Sequence, residues 1–456
     1  MAAVNLSWFP PSASWITDLA VVINGTGTQG FRFNGSGLPE LGQYSYCNME
    51  HVRPQNYQVP SMDKYQLVYV ELVHRHHKRS PYAANGFPKE IYPWNCTDEG
   101  LIYSSQLLCP GSHSSTNTYW SVYISPSNPF QPPGLYGSCQ FPQITSGGLD
   151  DSYQHGQDLA AVYRDQLDFI PANPDGSVSF RVTNNVITSQ VASMLIAGMF
   201  PATAHNSFPL LIQPAAIDSL EPAYTCAPAT ALYGTFGPNS NNSVWQSHIS
   251  AAKSLWATLD SISGVNPSDS GFHMSMDHYF DNLSSRQCHA MPLPCSASNS
   301  SACVTQAMAD SVYRIGQWEY SWQYRGSDRS VEAAVGAYGV WFAELAQNLR
   351  DSVAGQSIVK YRHNIAHDGS VSKILAILQV DNMVWPGMGS EVVFELYKVI
   401  ATGKYALRIL WGGIVLKSSN PTLGSVDMLD LDTFLAYIDG LVGLNASKVA
   451  EYCNKK

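Results

Sequence analysis

Residues Tyr65 to His74 read Tyr-Gln-Leu-Val-Tyr-Val-Glu-Leu-Val-His, an apolar run rich in β-branched and aromatic side chains, with no Gly or Pro. Such a run predicts a buried strand. Val178 to Val182 predicts a second one, and the chain returns to the same pattern at Ile358. From about Pro201 to Gln356 the rhythm changes to that of helices. Ile249, Ala252, Trp256 and Leu259 share one face of a segment that Ser243 is expected to cap and Gly264 to close. Val331, Val335, Tyr338, Phe342, Leu345 and Leu349 recur by three and four, with Asp328 or Ser330 as the expected N-cap. The pattern predicts an arm over 1–62, a first strand-bearing part over 63–200, a mainly helical block over 201–356 and a second strand-bearing part over 357–456.

The first strand runs into Arg75-His76-His77-Lys78-Arg79-Ser80-Pro81. Open α/β sheets bind ligands beyond the carboxyl ends of their strands. Two guanidinium forks around one imidazole suit a dianionic oxyanion, phosphate above all. Far downstream, Ile358-Val359-Lys360-Tyr361-Arg362-His363-Asn364-Ile365-Ala366 leads into His367-Asp368, and a helix is expected from about Ser370.

These two segments resemble the paired signatures of the histidine acid phosphatases, the phytase and acid phosphatase branch of the histidine phosphatases. The first is that family's Arg-His-Gly-x-Arg-x-Pro, the second its His-Asp. Gly148 to Leu167 is similar to the family's Leu-Thr-x-x-Gly helix, Phe180 to Pro201 to its Arg-Ser-Thr segment, and Glu391–Lys398 and Tyr405–Gly412 to its closing strands. The likeness spans about Gln66 to Leu441. It implies an α/β fold, a three-layer, mostly parallel sheet core with an inserted helical cap. It also implies a phosphomonoesterase in which His76 attacks phosphorus, Asp368 protonates the leaving oxygen, and Arg75, Arg79 and His367 hold the phosphoryl group. That scheme requires no metal or cofactor. The flanking His74, His363 and Arg362 match no role and read as structural.

Two departures bear on the chemistry. His77 stands where the family has Gly, which tolerates unusual backbone angles beside a ligand; it either points away from the pocket or adds a donor to it. An ungapped match keeps Arg181 as a further candidate ligand but lays Ile187 on a second phosphate-binding Arg. Loss of such a donor costs about 2.7–4 kcal/mol of transition-state stabilisation, unless His77, Lys78, Asn184 or Asn185 replaces it. A phosphatase-fold binding protein, or an enzyme for a small aromatic phosphate ester, are the alternatives.

Composition narrows the setting. Charged residues make up 13% of the 456, about half the usual share, and the net charge is −10 without any basic run. Nucleic acid is therefore excluded as an expected partner, and a broadly cationic mouth for a highly charged substrate such as phytate is not expected. Asn5, Asn24, Asn34, Asn95, Asn241, Asn282, Asn299 and Asn445 stand in Asn-x-Ser/Thr, and none of the nine cysteines forms Cys-x-x-Cys. Together they predict a secreted, N-glycosylated protein with four disulfides and one spare thiol, one bridge lying within Cys288, Cys295 and Cys303, while the run Arg75 to Tyr82 resembles that of the fungal-type members of the family. The residues after Met1 show no charged segment followed by a long apolar one, so a mature chain is expected. No stretch is long enough to span a membrane. Gly25-Thr26-Gly27-Thr28-Gln29-Gly30 is a literal G-x-G-x-x-G, but no helix is expected after it, so it does not predict a dinucleotide site.

Overall fold

The computed structural model describes residues 4–454 apart from 36, 91, 97–101, 105–116, 120–121, 124, 126, 131–133, 135 and 202–207. The core is α/β. Its central sheet is built from β1 (Tyr65–Arg75), β2 (Val178–Val182), β3 (Leu210–Ile212), β4 (Tyr361–Ala366), β5 (Glu391–Val399), β6 (Tyr405–Trp411), β7 (Ile414–Val415) and β8 (Leu429–Asp430). Across the sheet the order is β7-β6-β5-β1-β4-β2-β3, with β8 on β6. Strands β1, β4, β2 and β3 run parallel, and β5 and β6 join antiparallel on the other side of β1. Both central strands are buried nearly end to end, as a parallel sheet covered on two faces requires.

Helices α1 (Ser146–Ala160) and α2 (Val186–Met199) cover one face. There Leu159, Leu195 and Met199 pack on Leu72, Phe180 and Tyr361. Helices α6 (Ser330–Ala354), α7 (Asp368–Ile377) and α8 (Leu431–Val442) cover the other, with Tyr338, Trp341, Phe342, Ile374 and Phe434 around Phe394. The edge strand β3 and the sheet-covering helix α6 both fall within 201–356. The sheet layers therefore extend into the segment that helical periodicity marks as a cap, because periodicity does not report which layer an amphipathic face meets.

A second apolar cluster joins α3 (Ser243–Ser263), α4 (Asp277–Cys288) and α5 (Gln306–Ser321) to the N-terminal arm through Ile16, Val22, Phe33, Tyr44 and Tyr46. The arm thus packs on the helical insertion as well as on the core. Asn242, one residue before the expected cap, receives the Val244 and Trp245 N–H groups at the start of α3, and Gly264 ends it at φ 78°.

Four disulfides tie these parts together: Cys47–Cys288, Cys96–Cys139, Cys226–Cys453 and Cys295–Cys303. The last is the local bridge expected; Cys109 lies outside the described residues. Seven of the sequon asparagines are exposed, and Asn282 is the exception. It lies buried in α4, donating to the Asn85 carbonyl at 2.9 Å and accepting from Arg286 Nε at 2.9 Å. A glycan cannot be carried there, which corrects the sequon reading at this position. No described helix is long and apolar enough to cross a membrane.

Candidate active site

Strands β1 and β4 lie side by side in parallel register, Arg75 opposite Ala366. The next residue of each strand is a histidine. The ladder continues one step, His76 N–H donating to the Ala366 carbonyl at 3.0 Å, so the rings of His76 and His367 meet at the sheet's carboxyl edge, 5.5 Å apart. Asp368 opens α7 directly behind them. Segments almost three hundred residues apart thus share one pocket.

His76 is buried, and its Nδ1 donates to the His77 carbonyl at 2.9 Å. That bond fixes the tautomer and leaves the Nε2 lone pair free. Burial first, and then the neighbouring Arg79 and Arg75 cations, push its pKa well below the ordinary histidine value. The ring is consequently held neutral, with Nε2 as its unprotonated nitrogen.

Arg75 is fully buried against the ring of Tyr46, donates to the Pro386 carbonyl at 2.6 Å, and reaches Asp368 Oδ2 at 3.0 Å. Arg79 lies over the Tyr82 ring, 4.2 Å from its centre, and pairs with Asp281 of α4 at 3.0 Å. Each guanidinium is therefore already matched by a carboxylate. Asp368 also accepts from Trp385 Nε1 at 2.8 Å and from the Gly369 N–H at 2.7 Å. Burial acts to raise its pKa, but Arg75 with these donors outweighs it, and the carboxyl sits below its usual range. His367 Nε2 is shared by Thr183 Oγ1 at 2.9 Å and Glu221 at 3.2 Å.

Arg75, His76, Arg79, His367 and Asp368 are thus brought together, and three other candidates are not. Successive side chains leave a strand end on opposite sides, so His77 turns away from His76 and under the sheet edge. There its Nε2 lies 3.1 Å from His155 Nδ1. Gly389 makes room for it, since a Cβ at that position would stand 2.4 Å from the His77 ring. Lys78 pairs with Asp151 at 2.9 Å. Arg181 projects from β2 to the far side, where Glu344, Gln213, Asp218 and Ser219 bind it beside a polar cavity of ≈ 280 Å³. It is a structural cation there, not a ligand of this pocket.

Ile187 is fully buried among Ile144, Val182, Val191 and Ile365. Of the residues weighed as replacements for an arginine there, Asn185 caps α2 and Asn184 is exposed. Thr183, which sequence reasoning missed, is the hydroxyl that reaches His367. Tyr46, Tyr82, Glu221, Asp281 and Trp385 were missed as well. They come from the arm, the loop just after the first signature, the insertion and the segment before β5, and no local pattern marks them.

No protein-family model matches the chain. Counting factor 60 of Dictyostelium discoideum is 25% identical over 362 residues, which span 77% of this chain and 80% of that protein. Among solved structures, the phytase of Citrobacter braakii aligns with a TM-score of 0.54 at 12% identity, covering 84% of this chain and 99% of its own. Hafnia alvei phytase in complex with myo-inositol hexakis sulphate aligns at 0.53 and 14%, covering 85% and 99%. The fold is that of the phytases, the histidine acid phosphatase fold. Within that fold, the two signature segments lie on the adjacent strands β1 and β4.

Proposed function

We propose that this chain is a histidine acid phosphatase that hydrolyses phosphate monoesters through a phosphohistidine on His76. The single observation that carries the reading is the convergence of His76, held as a neutral nucleophile, with Arg75, Arg79, His367 and Asp368 at one sheet edge. In this mechanism Arg75 and Arg79 take the phosphoryl oxygens, and His367 adds an N–H. His76 Nε2 forms a bond to phosphorus while the P–O ester bond breaks, and Asp368 delivers a proton to the departing oxygen. Water then attacks phosphorus as the P–N bond breaks and His76 is regenerated, the water's proton passes to Asp368, and phosphate leaves.

The Arg75–Asp368 pair makes proton delivery dependent on substrate. While Arg75 holds Asp368, the carboxyl stays ionised. A phosphoryl dianion that engages Arg75 removes that stabilisation and adds a like charge, and both raise the carboxyl's proton affinity. Secretion and N-linked glycans form part of the proposal, supported by four disulfides and seven exposed sequons.

The test is release of inorganic phosphate from p-nitrophenyl phosphate below neutral pH, with H76A as the control and an alkaline quench to trap the N-phosphorylated chain. Turnover by wild type and its loss in H76A are expected. No phosphate from any of a broad monoester panel would overturn the reading.

A second reading, a binding protein on the same fold, is favoured by the apolar burial of Ile187 and by the carboxylates that already match both guanidiniums. It predicts vanadate binding without turnover.

A further inference from the structure

Behind the loop that carries His76 lies a group of histidines that the proposed reaction does not use. His74, His77 and His155 are all buried, and one ring nitrogen from each lies within 4.8 Å of the others. Their ring centres are 4.9, 5.3 and 5.8 Å apart. Three imidazoles that bind one ion at about 2.05 Å, with tetrahedral angles between them, have centres roughly 5.2 Å apart. The rings therefore already stand at the separations of a tris-histidine site. Their nitrogens would close by on the order of an ångström to meet a common ion.

The hydrogen bonds around the group select the ligand atoms. His74 Nδ1 donates to the Arg75 carbonyl at 2.8 Å, and its buried Nε2 has no partner. His155 Nε2 reaches Glu391 Oε2 at 3.1 Å, which leaves the Nδ1 lone pair directed at His77 Nε2, 3.1 Å away. Glu391 is itself buried and fixed by the Val52 N–H at 2.5 Å. A carboxyl group that orients a histidine from behind is the usual outer support of a metal-bound imidazole. His51 stacks on His155 at 4.0 Å and pairs with Asp158 at 2.9 Å, closing the group on that side.

We propose that His74, His77 and His155 bind one divalent transition-metal ion, Zn²⁺ by the chemistry of the donor set, in a structural site. An all-imidazole set suits zinc and its neighbours and not Mg²⁺ or Ca²⁺, which prefer oxygen. The ion ties the end of β1 to α1. It braces the backbone on either side of His76 without entering the phosphate pocket, and it gives His77 a role that a glycine there could not fill.

The experiment uses the purified full chain, stripped with a chelator and then titrated with Zn²⁺ or Co²⁺. One ion per chain, the intense visible absorption of tetrahedral Co²⁺ and a higher thermal midpoint in the loaded form are expected. H74Q and H155Q should each weaken Co²⁺ binding by ~100-fold. H363Q, which alters a buried histidine beside His74 but outside the group, should keep full stoichiometry. Failure to take up an ion, an absorption spectrum of hydrated Co²⁺, or undiminished binding in H74Q and H155Q overturns the site. Should those variants not fold, X-ray absorption on the loaded wild type decides it: three imidazole nitrogens support the site, and fewer overturn it. None of these outcomes depends on phosphatase activity.

Discussion

Arg75 Nη2 and Asp368 Oδ2 are 3.0 Å apart, a buried guanidinium at the end of one strand holding the carboxylate that follows the neighbouring strand. If Asp368 protonates the departing oxygen, its removal matters most for leaving groups that need a proton. D368N should therefore lower kcat on an alkyl phosphate by about 10²–10⁴-fold and on p-nitrophenyl phosphate far less. Steady-state kinetics over substrates of graded leaving-group pKa measure the difference; an equal loss on all of them contradicts the assignment.

Thr183 reaches His367 through its hydroxyl, and valine keeps its shape. T183V should lower kcat/KM by about 2- to 10-fold, the worth of one neutral hydrogen bond, with a thermal midpoint close to wild type. A calorimetric scan beside the kinetics separates loss of positioning from loss of fold.

Ile187 has no exposed surface and apolar neighbours on every side described. I187R therefore restores no phosphate ligand. It buries an unpaired cation, at about 3–5 kcal/mol, and chemical denaturation should show that loss with no gain in turnover. This reverses the outcome that sequence alignment alone suggests for that substitution.

His289 donates from Nδ1 to the Ser285 carbonyl and pairs through Nε2 with Thr145 at 2.7 Å. Burial pushes its pKa down to about 4. The unfolded chain, with an ordinary value near 6.5, then takes up the proton first as pH falls. No penalty exists above about pH 6.5, and one accumulates between there and pH 4, by up to about 1.4 kcal/mol per pH unit. Denaturation free energies across that window should fall less steeply in H289N than in wild type.

Asn282 is held in α4 by three side-chain hydrogen bonds, to Asn85, Glu90 and Arg286. Enzymatic deglycosylation in water enriched in the heavy oxygen isotope, followed by peptide mass mapping, should find it unlabelled, whatever the occupancy of the seven exposed sequons.

The parts of the site that were legible in the sequence lie at the ends of apolar runs. Strand β1 ends at Arg75, one residue past the predicted run, and β4 ends just before His367. The α/β core and the helix after Asp368 are what the family resemblance implies, and one local bridge within Cys288, Cys295 and Cys303 was expected without its pair, which the structure gives as Cys295–Cys303. Arg181 shows where that reasoning stops. It is a cation on a core strand near the expected position, yet the alternation of β2 aims it at Glu344 and Asp218 on the far side. The partners that tune the pocket, Asp281 on Arg79 and Trp385 on Asp368, arrive from an inserted helix and a loop.

By itself the sequence determined where the central strands β1, β2 and β4 and the long helices α3 and α6 lie, and which strand ends carry cationic and imidazole chemistry. Both are local properties, set by side-chain period and by covalent neighbourhood. Tertiary structure alone decided which side of a strand end each side chain takes, which carboxylate meets each buried guanidinium, and that three histidines gather behind the loop. Those outcomes depend on burial and charge pairing between residues distant in the chain, where the cost of an unmatched buried group selects the partner and no local pattern records it.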